Sequence, residues 1–337
     1  MKNIPVVIAE LSGNHNGSKE RAINLVHAAH QAGASMVKVQ CFKPEFLTVK
    51  SDDAAYRVNH GAWAGKSLFE LYESTYLPWE WYDDLISLST DLGLEFFASV
   101  FDESSVDFLV SKECRTVKIA SAEIIDTELI EYCSTRFHTI MISTGMASKQ
   151  EIIDASSLAK AGGAKVVLFQ CVSEYPAQVK DYNLGGLDFL KKYSDYIGIS
   201  DHSMDNTAII GSIAKGASFV EKHITLRRSD GGIDSHFSLE PNEFKQMVSV
   251  SSQIYEACIE SDYCEKNVDG QSRKYRRSLY LKPPIKSGSI ITEENIISLR
   301  PAYGAPVRDK HQFIGKKIDI DIEVCTPLTS DVFGKRT

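Results

Sequence analysis

Gly198-Ile199-Ser200-Asp201-His202 and Val220-Glu221-Lys222-His223 are two short segments that each end in a histidine. The stretch between them, roughly Asp205 to Lys215, has the character of a helix and is closed by Gly216-Ala217. Strand, helix and strand in this order form a βαβ unit, whose strands are parallel and adjacent or nearly so. The two histidines are therefore expected at the same end of neighbouring strands, close enough to share one metal ion.

The same alternation of strand and helix fills the chain before this pair. Pattern and composition predict eight strands: Pro5–Glu10, Met36–Cys41, Glu95–Ser99, Thr116–Ile119, Thr139–Ser143, Lys165–Gln170, Tyr196–Ser200 and Val220–His223. Glycine follows several of the intervening helices, as in Gly33-Ala34 and Gly163-Ala164, which is a common C-terminal cap. Eight β/α units in about 260 residues predict an α/β protein of the TIM (β/α)8 barrel class. A doubly wound open sheet is the alternative.

The helices predicted between these strands follow from apolar periodicity and from cap residues. Their expected ranges are Ser18–Gly33 with its caps, Trp79–Asp91, Glu103–Lys112, Thr127–Thr135, Lys149–Ala161, Leu184–Lys192, Asp205–Lys215 and Asn242–Glu260. One segment, Phe42–Pro78, is long, aromatic and without an obvious element. A loop of this length is typical of a lid or a substrate wall.

The composition and the apolar periodicity of the sequence change after Glu260. A polar stretch without apolar periodicity is followed by short strand-like pieces, Ser278–Leu281 and Ile318–Ile322, and by a capped turn at Thr292–Asn295. We therefore predict three parts: a catalytic barrel at 1–260, a linker at 261–275 and a small, mostly β domain at 276–337.

Composition and charge exclude several classes of partner. The chain has 337 residues and a net charge of −8, and no basic patch dominates, which argues against nucleic acid and anionic membranes as partners. No apolar run approaches the ~18–20 residues of a membrane span, and no charged-then-apolar leader precedes the first strand. The seven cysteines are scattered and never spaced as CxxC, which is typical of reduced thiols. A cytoplasmic location is predicted.

In a barrel of this class, functional side chains lie at the C-terminal ends of the strands. A strand-end serine or a lone histidine has an ordinary structural explanation as a cap or a core residue. Lys38 and Lys118 are harder to explain in this way, because burying an ammonium group without a partner is costly. Two lysines converging with serines predict an anion site, most naturally for phosphate. The strand ends supply Glu10, Lys38, Gln40, Ser99, Lys118, Ser121, Glu123, Ser143, Ser173, Ser200, His202, Glu221 and His223.

His202 and His223 would bind a divalent metal through two imidazoles and leave positions open for water or substrate. Mn²⁺, Mg²⁺ or a related ion could then polarise a carbonyl as a Lewis acid. Glu10, Glu123 and Glu221 remain as candidates for general acid/base work or for orienting a ligand. The residues alone thus predict a metal-assisted barrel enzyme that acts on a phosphorylated or carboxylated small molecule.

The chain also resembles the sialic acid synthase family over about residues 4–335. The C-terminal part resembles the SAF, or antifreeze-like, domain of that family. Within the family, Trp63–Tyr72, Tyr76–Trp81 and Asp230–Pro241 resemble the pseudaminic acid synthase branch. The family motifs stand here as Ala9-Glu10, Asn14-His15-Asn16-Gly17, Val37-Lys38-Val39-Gln40, Lys118–Glu123, Ser143-Thr144-Gly145-Met146, Tyr175-Pro176, Ser200-Asp201-His202 and Glu221-Lys222-His223.

The resemblance implies a reaction. Phosphoenolpyruvate would condense with the open-chain aldehyde of an N-acetylated hexose, here a 6-deoxy diacetamido sugar, to give a nine-carbon 2-keto sugar acid, pseudaminic acid, and phosphate. Synthesis of N-acetylneuraminic or legionaminic acid is the nearest alternative. A metal-dependent sugar-phosphate lyase or isomerase, or a non-catalytic sugar-binding barrel, would be a more distant one.

The resemblance also implies residue roles. Family members form domain-swapped homodimers in which the SAF domain covers the partner's barrel, so Arg300 would reach the sugar of the other subunit. A divalent metal, Mn²⁺ or Mg²⁺, would lie on His202 and His223. Phosphoenolpyruvate would contact Lys38, Lys118, Ser121, Ser143, Ser173 and Ser200. The sugar would contact Gln40, Tyr175, Asp234 and Arg300, with Glu10, Glu123, Glu221 and Asp234 as catalytic candidates.

Overall fold

The protein is described here from a computed structural model that covers residues 5–59, 63–259 and 271–333. The chain divides into two compact units, Met1–Ile259 and Glu260–Thr337.

Eight parallel strands close into a barrel in the order of the chain. The predicted TIM barrel is therefore confirmed, and the open sheet is excluded because the last strand pairs with the first, with His223 opposite Glu10. The strands are β1 Val6–Glu10, β2 Met36–Cys41, β3 Glu95–Val100, β4 Thr116–Ile119, β5 Thr139–Ser143, β6 Lys165–Cys171, β7 Tyr196–Asp201 and β8 Phe219–His223.

Helices alternate with the strands on the outside of the barrel. The helix starts follow from caps: the Ser18 hydroxyl accepts the Arg21 N–H, and Ser148 and Glu151 form a capping box. The helices are α1 Lys19–Gln31, α2 Pro44–Leu47, α3 Leu68–Thr75, α4 Tyr82–Asp91, α5 Glu103–Ser111, α6 Thr127–Ser134, α7 Lys149–Ala161, α8 Leu187–Leu190, α9 Thr207–Ala214 and α10 Pro241–Cys258.

Two predicted segments differ in the structure. The helix predicted over Leu184–Lys192 is broken into a 3₁₀ turn, Leu184–Gly186, and the single turn of α8, because Gly185 and Gly186 disfavour a continuous helix. The aromatic segment Phe42–Pro78 contains α2 and α3 and is therefore not one long loop.

The barrel interior changes from apolar to polar along the strand axis. Residues two apart on a strand share a face, so Ile8 lies below Glu10, and Met36 below Lys38. A separate apolar cluster fills the lower interior, while the larger core lies between barrel and helices. This floor places the charged side chains above it, at the C-terminal ends of the strands. The lower cluster comprises Ile8, Met36, Phe97, Met141, Val167 and Phe169.

The C-terminal unit has its own three-stranded antiparallel sheet, in which β9 Ser278–Leu281 lies between β10 Ile296–Leu299 and β11 Thr326–Pro327. Ile318–Ile322, predicted as a strand, makes no continuous ladder, and that prediction was wrong. Ile318 and Ile322 are buried in the core of the unit, whereas Asp321 between them turns outward and accepts the Ser287 N–H at 2.7 Å.

The other predictions for this region have mixed outcomes. Thr292 caps a 3₁₀ turn, Glu293–Asn295, as predicted. Most of the linker predicted at 261–275 lies outside the described residues, and Gln271–Tyr275 form a 3₁₀ helix. Within the described ranges, no helix has both the length and the apolar character needed to cross a membrane.

Candidate active site

A cavity of about 450 Å³ opens at the C-terminal ends of the barrel strands. Its floor and walls come from β-strand ends and from the loops that follow them. The structure thus brings together almost all of the predicted site residues. Those that line the cavity are Lys38, Gln40, Ser99, Lys118, Ser121, Glu123, Ser143, Ser173, Tyr175, Ser200, His202, Glu221, His223 and Asp234.

Two predicted residues are elsewhere. Glu10 is fully buried beneath the cavity, where it contacts Lys38. Arg300 follows β10 in the C-terminal unit and is exposed. Its approach to a sugar in another subunit stays a prediction.

The floor of the cavity is a buried network of two lysines and two glutamates. The Lys38 Nζ lies 2.7 Å from Glu10 Oε2 and 3.4 Å from Glu221 Oε1. The Lys118 Nζ lies 2.7 Å from Glu221 Oε2 and donates to Ser200 Oγ at 2.8 Å. Each ammonium therefore has a carboxylate partner, which offsets the cost of burying both charges.

The pKa values in this network are shifted in different directions. Burial raises the pKa of Glu10 to about 7, against the opposing effect of the Lys38 ammonium. The pKa of Glu221 falls to about 2, because Lys118 and Lys38 together outweigh the effect of its burial. Burial lowers the pKa of Lys118, whereas the Glu10 and Glu221 carboxylates outweigh burial and raise that of Lys38. Glu10 is thus the member of the network that can exchange a proton near neutral pH.

Hydroxyl and backbone donors form a second polar patch beside the lysines. The Gly145 N–H donates to Ser121 Oγ at 3.2 Å. A Cβ atom at residue 145 would lie 2.8 Å from Ser173 Oγ and 2.8 Å from Cys171 Sγ. Only glycine lets the backbone come this close to the three side chains. The Ser121 and Ser173 hydroxyl groups line the same cavity as the two lysines, and such a set of donors is suited to a phosphate or carboxylate.

His202 and His223 lie side by side, with ring centroids 5.4 Å apart. The His202 Nδ1 is 2.8 Å from the Val172 carbonyl, so it carries the proton and leaves the Nε2 lone pair free for a ligand. The His223 Nδ1 is buried and has no hydrogen-bond partner in the described part of the chain. Burial lowers the pKa of His202 to about 4 and that of His223 well below its usual value.

Two neutral imidazoles, one with an unpartnered nitrogen, fit a divalent metal ion. Within the described ranges, no group of three or more His, Cys, Asp or Glu side chains could hold one. A metal ion at this position would have the imidazoles of His202 and His223 as ligands and would leave its other coordination positions to substrate or water, as in an open catalytic site.

The far wall of the cavity is aromatic and apolar. The Tyr175 ring lies 4.3 Å from the His202 ring and 5.3 Å from Trp63. The Trp63 Nε1 donates to the Ile233 carbonyl at 3.0 Å. This contact joins the segment before α3 to the loop after β8. Leu47, Val58, Leu68, Leu71, Tyr72, Phe101 and Phe237 complete this wall.

The sequence interpretation missed two features of the site. Ser12, in the loop after β1, lines the cavity, and nothing in the periodicity of that loop marks it. Lys222 points away from the cavity and donates to Asp201 Oδ2 at 2.6 Å and to the Ser203 carbonyl at 2.6 Å. Because successive residues of a strand point to opposite faces, the position of Lys222 between Glu221 and His223 could have predicted that its side chain faces away from the cavity. It could not have predicted that Asp201 is its partner.

The raised pKa of Glu123 predicts how the free energy of unfolding changes with pH. The Glu123 Oε2 is buried without a hydrogen-bond partner among the described residues, and burial raises the pKa of this carboxyl from 4.5 to about 7. Between these values the folded state keeps a proton that the unfolded state has lost, so stability falls as pH rises. Glu123→Gln should be more stable than the wild type above pH 7, by roughly 2 kcal/mol. Below pH 4.5 this advantage should disappear.

Chemical denaturation between pH 4 and 8 measures this difference. Glu131→Gln, at an exposed position on α6, is the matched control and should show no such pH dependence. Parallel stability curves for the wild type and Glu123→Gln would contradict the assignment.

Comparison with known proteins identifies the family to which this chain belongs. Residues 25–262 match the NeuB family, and residues 276–331 match the SAF domain. The chain belongs to the NeuB family. Its fold, a TIM-like barrel with a small antiparallel SAF domain, agrees with this membership, and enzymes of the family are in general metal-dependent.

The similarity covers nearly the whole chain. A pseudaminic acid synthase from Campylobacter jejuni is 36% identical, covering 97% of this chain and 96% of its own. An N,N'-diacetyllegionaminic acid synthase from Legionella pneumophila is 32% identical, covering 96% and 92%. The crystal structure of an N-acetylneuraminic acid synthetase from Leptospira borgpetersenii matches with a TM-score of 0.72 and 28% identity, over 81% of this chain and 92% of that one.

Proposed function

We propose that the chain condenses phosphoenolpyruvate with the open-chain form of a 6-deoxy diacetamido hexose to give pseudaminic acid and inorganic phosphate. The observation that carries this proposal is the convergence of Lys38, Lys118 and two neutral imidazoles in one cavity. The chain is 34–36% identical to three pseudaminic acid synthases and 32% identical to two legionaminic acid synthases, which favours the former product.

Phosphoenolpyruvate would lie on the floor of the cavity. It carries up to three negative charges, and the ammonium groups of Lys38 and Lys118 are already fixed in place by their carboxylate partners, so they need little reorganisation. Protonation of Glu10, whose pKa is about 7, would release the Lys38 charge for the incoming anion. The hydroxyl donors around the lysines would be Ser121, Ser143, Ser173 and Ser200.

The acceptor sugar would lie between the histidines and the aromatic wall. His202 and His223 would hold Mn²⁺ or Mg²⁺, which when bound supplies Lewis-acid polarisation of a carbonyl. Gln40, Tyr175 and Asp234 would contact the sugar hydroxyl and acetamido groups. Glu123 and Glu221 would serve as acid, base or orienting groups. The apolar wall, with Trp63 and Tyr72, would pack on the deoxy and acetamido methyl groups.

The proposal includes a domain-swapped homodimer in which Arg300 of one subunit approaches the sugar of the other. Covering the cavity in this way would exclude water from the enol ester. A monomeric mass in solution would contradict this part. The cytoplasmic location stays a prediction, which cell fractionation can test.

Product identification tests the reaction. The protein is incubated with phosphoenolpyruvate, Mn²⁺ or Mg²⁺ and a panel of 2-acetamido and diacetamido hexoses, and phosphate release and product mass are measured. We expect the highest kcat/KM with the 6-deoxy diacetamido sugar that leads to pseudaminic acid. Comparable phosphate release should be absent when phosphoenolpyruvate or sugar is omitted.

Other results of this experiment would favour one of the alternative functions. Efficient turnover of N-acetylmannosamine alone, or of the legionaminic acid precursor alone, would replace the proposed substrate. Conversion of a sugar phosphate without phosphoenolpyruvate would favour a lyase or isomerase. Sugar binding without any turnover would favour a binding protein.

A further inference from the structure

We infer that Ser12 is a positioning residue for the acceptor sugar, because it joins Glu10, Gln40 and Asp234 into one hydrogen-bonded unit. The inference rests on the proposed function, since it concerns how the site binds the acceptor sugar of that reaction. Ser12 lies in the loop after β1 and lines the cavity.

Both donors of Ser12, its N–H and its hydroxyl proton, are used within the site. Its N–H donates to Glu10 Oε1 at 2.8 Å. Its hydroxyl donates to Asp234 Oδ2 at 2.6 Å and accepts from Gln40 Nε2 at 3.0 Å. A hydroxyl has one proton and two lone pairs. One acceptor position therefore remains for a ligand group in the cavity.

The contact with Asp234 leaves this carboxylate oriented for a ligand. Its Oδ2 receives the Ser12 hydroxyl and also the Gly13 N–H at 3.1 Å. No hydrogen bond from the described residues reaches the second oxygen, Oδ1. Asp234 is 5% exposed and lines the cavity. Sugar hydroxyl groups are the natural donors to such an oriented carboxylate oxygen.

The backbone at Ser12 is strained for a serine. Its φ is +42°, in the left-handed region that costs free energy for any residue with a Cβ atom and that glycine adopts readily. Glycine would therefore fit this position better if only the turn mattered. The side chain that occupies it makes two contacts, both to residues of the proposed sugar site. Strain of this kind is typical of functional sites.

Two variants separate the hydroxyl from the strain. Ser12→Gly removes both, and Ser12→Ala removes the hydroxyl and keeps the strain. We expect each to raise the KM for the acceptor sugar roughly 10-fold or more, with the KM for phosphoenolpyruvate changed less than about twofold. Ser12→Gly should have the higher melting temperature of the two.

Glu113→Gly is the matched control. Glu113 also has a positive φ, +57°, but it is exposed and lies between α5 and β4, at the N-terminal end of a strand. Its replacement should raise the melting temperature and leave the KM for both substrates unchanged.

The outcomes are distinguishable. If the wild-type protein releases no phosphate with any sugar in the panel, the proposed reaction fails, and the role of Ser12 in positioning its sugar fails with it. If the wild type is active and Ser12→Gly keeps the wild-type KM for the sugar, the inference is wrong. Equal increases in the KM for sugar and for phosphoenolpyruvate would also overturn it, because a general loss of site structure would explain them. If Ser12→Ala does not fold, Ser12→Gly alone decides.

Discussion

Replacing His202 or His223 with alanine is expected to reduce metal-dependent turnover by roughly 10³-fold, since a bound metal supplies several kcal/mol of charge stabilisation. Each imidazole is buried, and the low pKa of each keeps it neutral at physiological pH. Loss of either ring leaves one protein nitrogen at the site. Phosphate release is measured against Mn²⁺ or Mg²⁺ concentration, and metal affinity is measured separately by calorimetry.

His236→Ala is the control for the metal assignment. His236 is exposed and lies edge-on to Phe237, next to the same cavity wall. This variant should keep the wild-type metal affinity. Circular dichroism should show that all three variants are folded. Wild-type metal affinity in both His202→Ala and His223→Ala would refute the proposed ligands.

Lys222→Met is expected to lower the free energy of unfolding by about 3–5 kcal/mol, because it leaves a buried carboxylate without its partner. The Lys222 and Asp201 side chains form an ion pair of 2.6 Å in which both are 0% exposed. The same ammonium donates to the Ser203 and Asp205 carbonyls, in the loop directly after His202. The loss is large compared with the ~5–15 kcal/mol stability of a typical domain. It is measured by urea denaturation.

Two further variants complete the test. Lys215→Met breaks an exposed pair with Asp188, of 2.7 Å, and should cost only a small fraction of the loss in Lys222→Met. The double variant Lys222→Met/Asp201→Asn should recover part of the stability, because no unpaired charge remains. Equal losses in Lys222→Met and Lys215→Met would contradict a special role for the buried pair.

The barrel could be predicted because its signals are local. Strands such as Thr139–Ser143 are short apolar runs between helices with caps, and α7 begins and ends at the predicted residues. Eight repeats of this unit leave few folds to consider. Most of the candidate site followed by the same logic, since strand ends of a barrel meet at one face.

The errors also have local causes. Gly185 and Gly186 break a helix whose apolar spacing was otherwise suitable. Ile318–Ile322 has the composition of a strand, but it meets the segment around Ile285–Ile290 only through the isolated bridges Ile285–Ile322 and Ile290–Lys317, so no continuous ladder forms. Helix α3 lies inside the aromatic segment Phe42–Pro78, and its signal in the sequence is local: Ser67 and Glu70 form a capping box at its start.

The sequence by itself determined the barrel, the polar strand ends and, through its motif series, the family. Only the tertiary structure decided which polar side chains form hydrogen bonds and ion pairs with one another. Lys118 and Glu221 are 103 positions apart, and Ser12 and Asp234 are 222 apart, yet each pair is in direct contact. The physical reason is the closure of the sheet: pairing β8 with β1 brings the two ends of the barrel sequence together. Local propensity contains no information about such contacts, and these contacts set the pKa values and the orientation of the site.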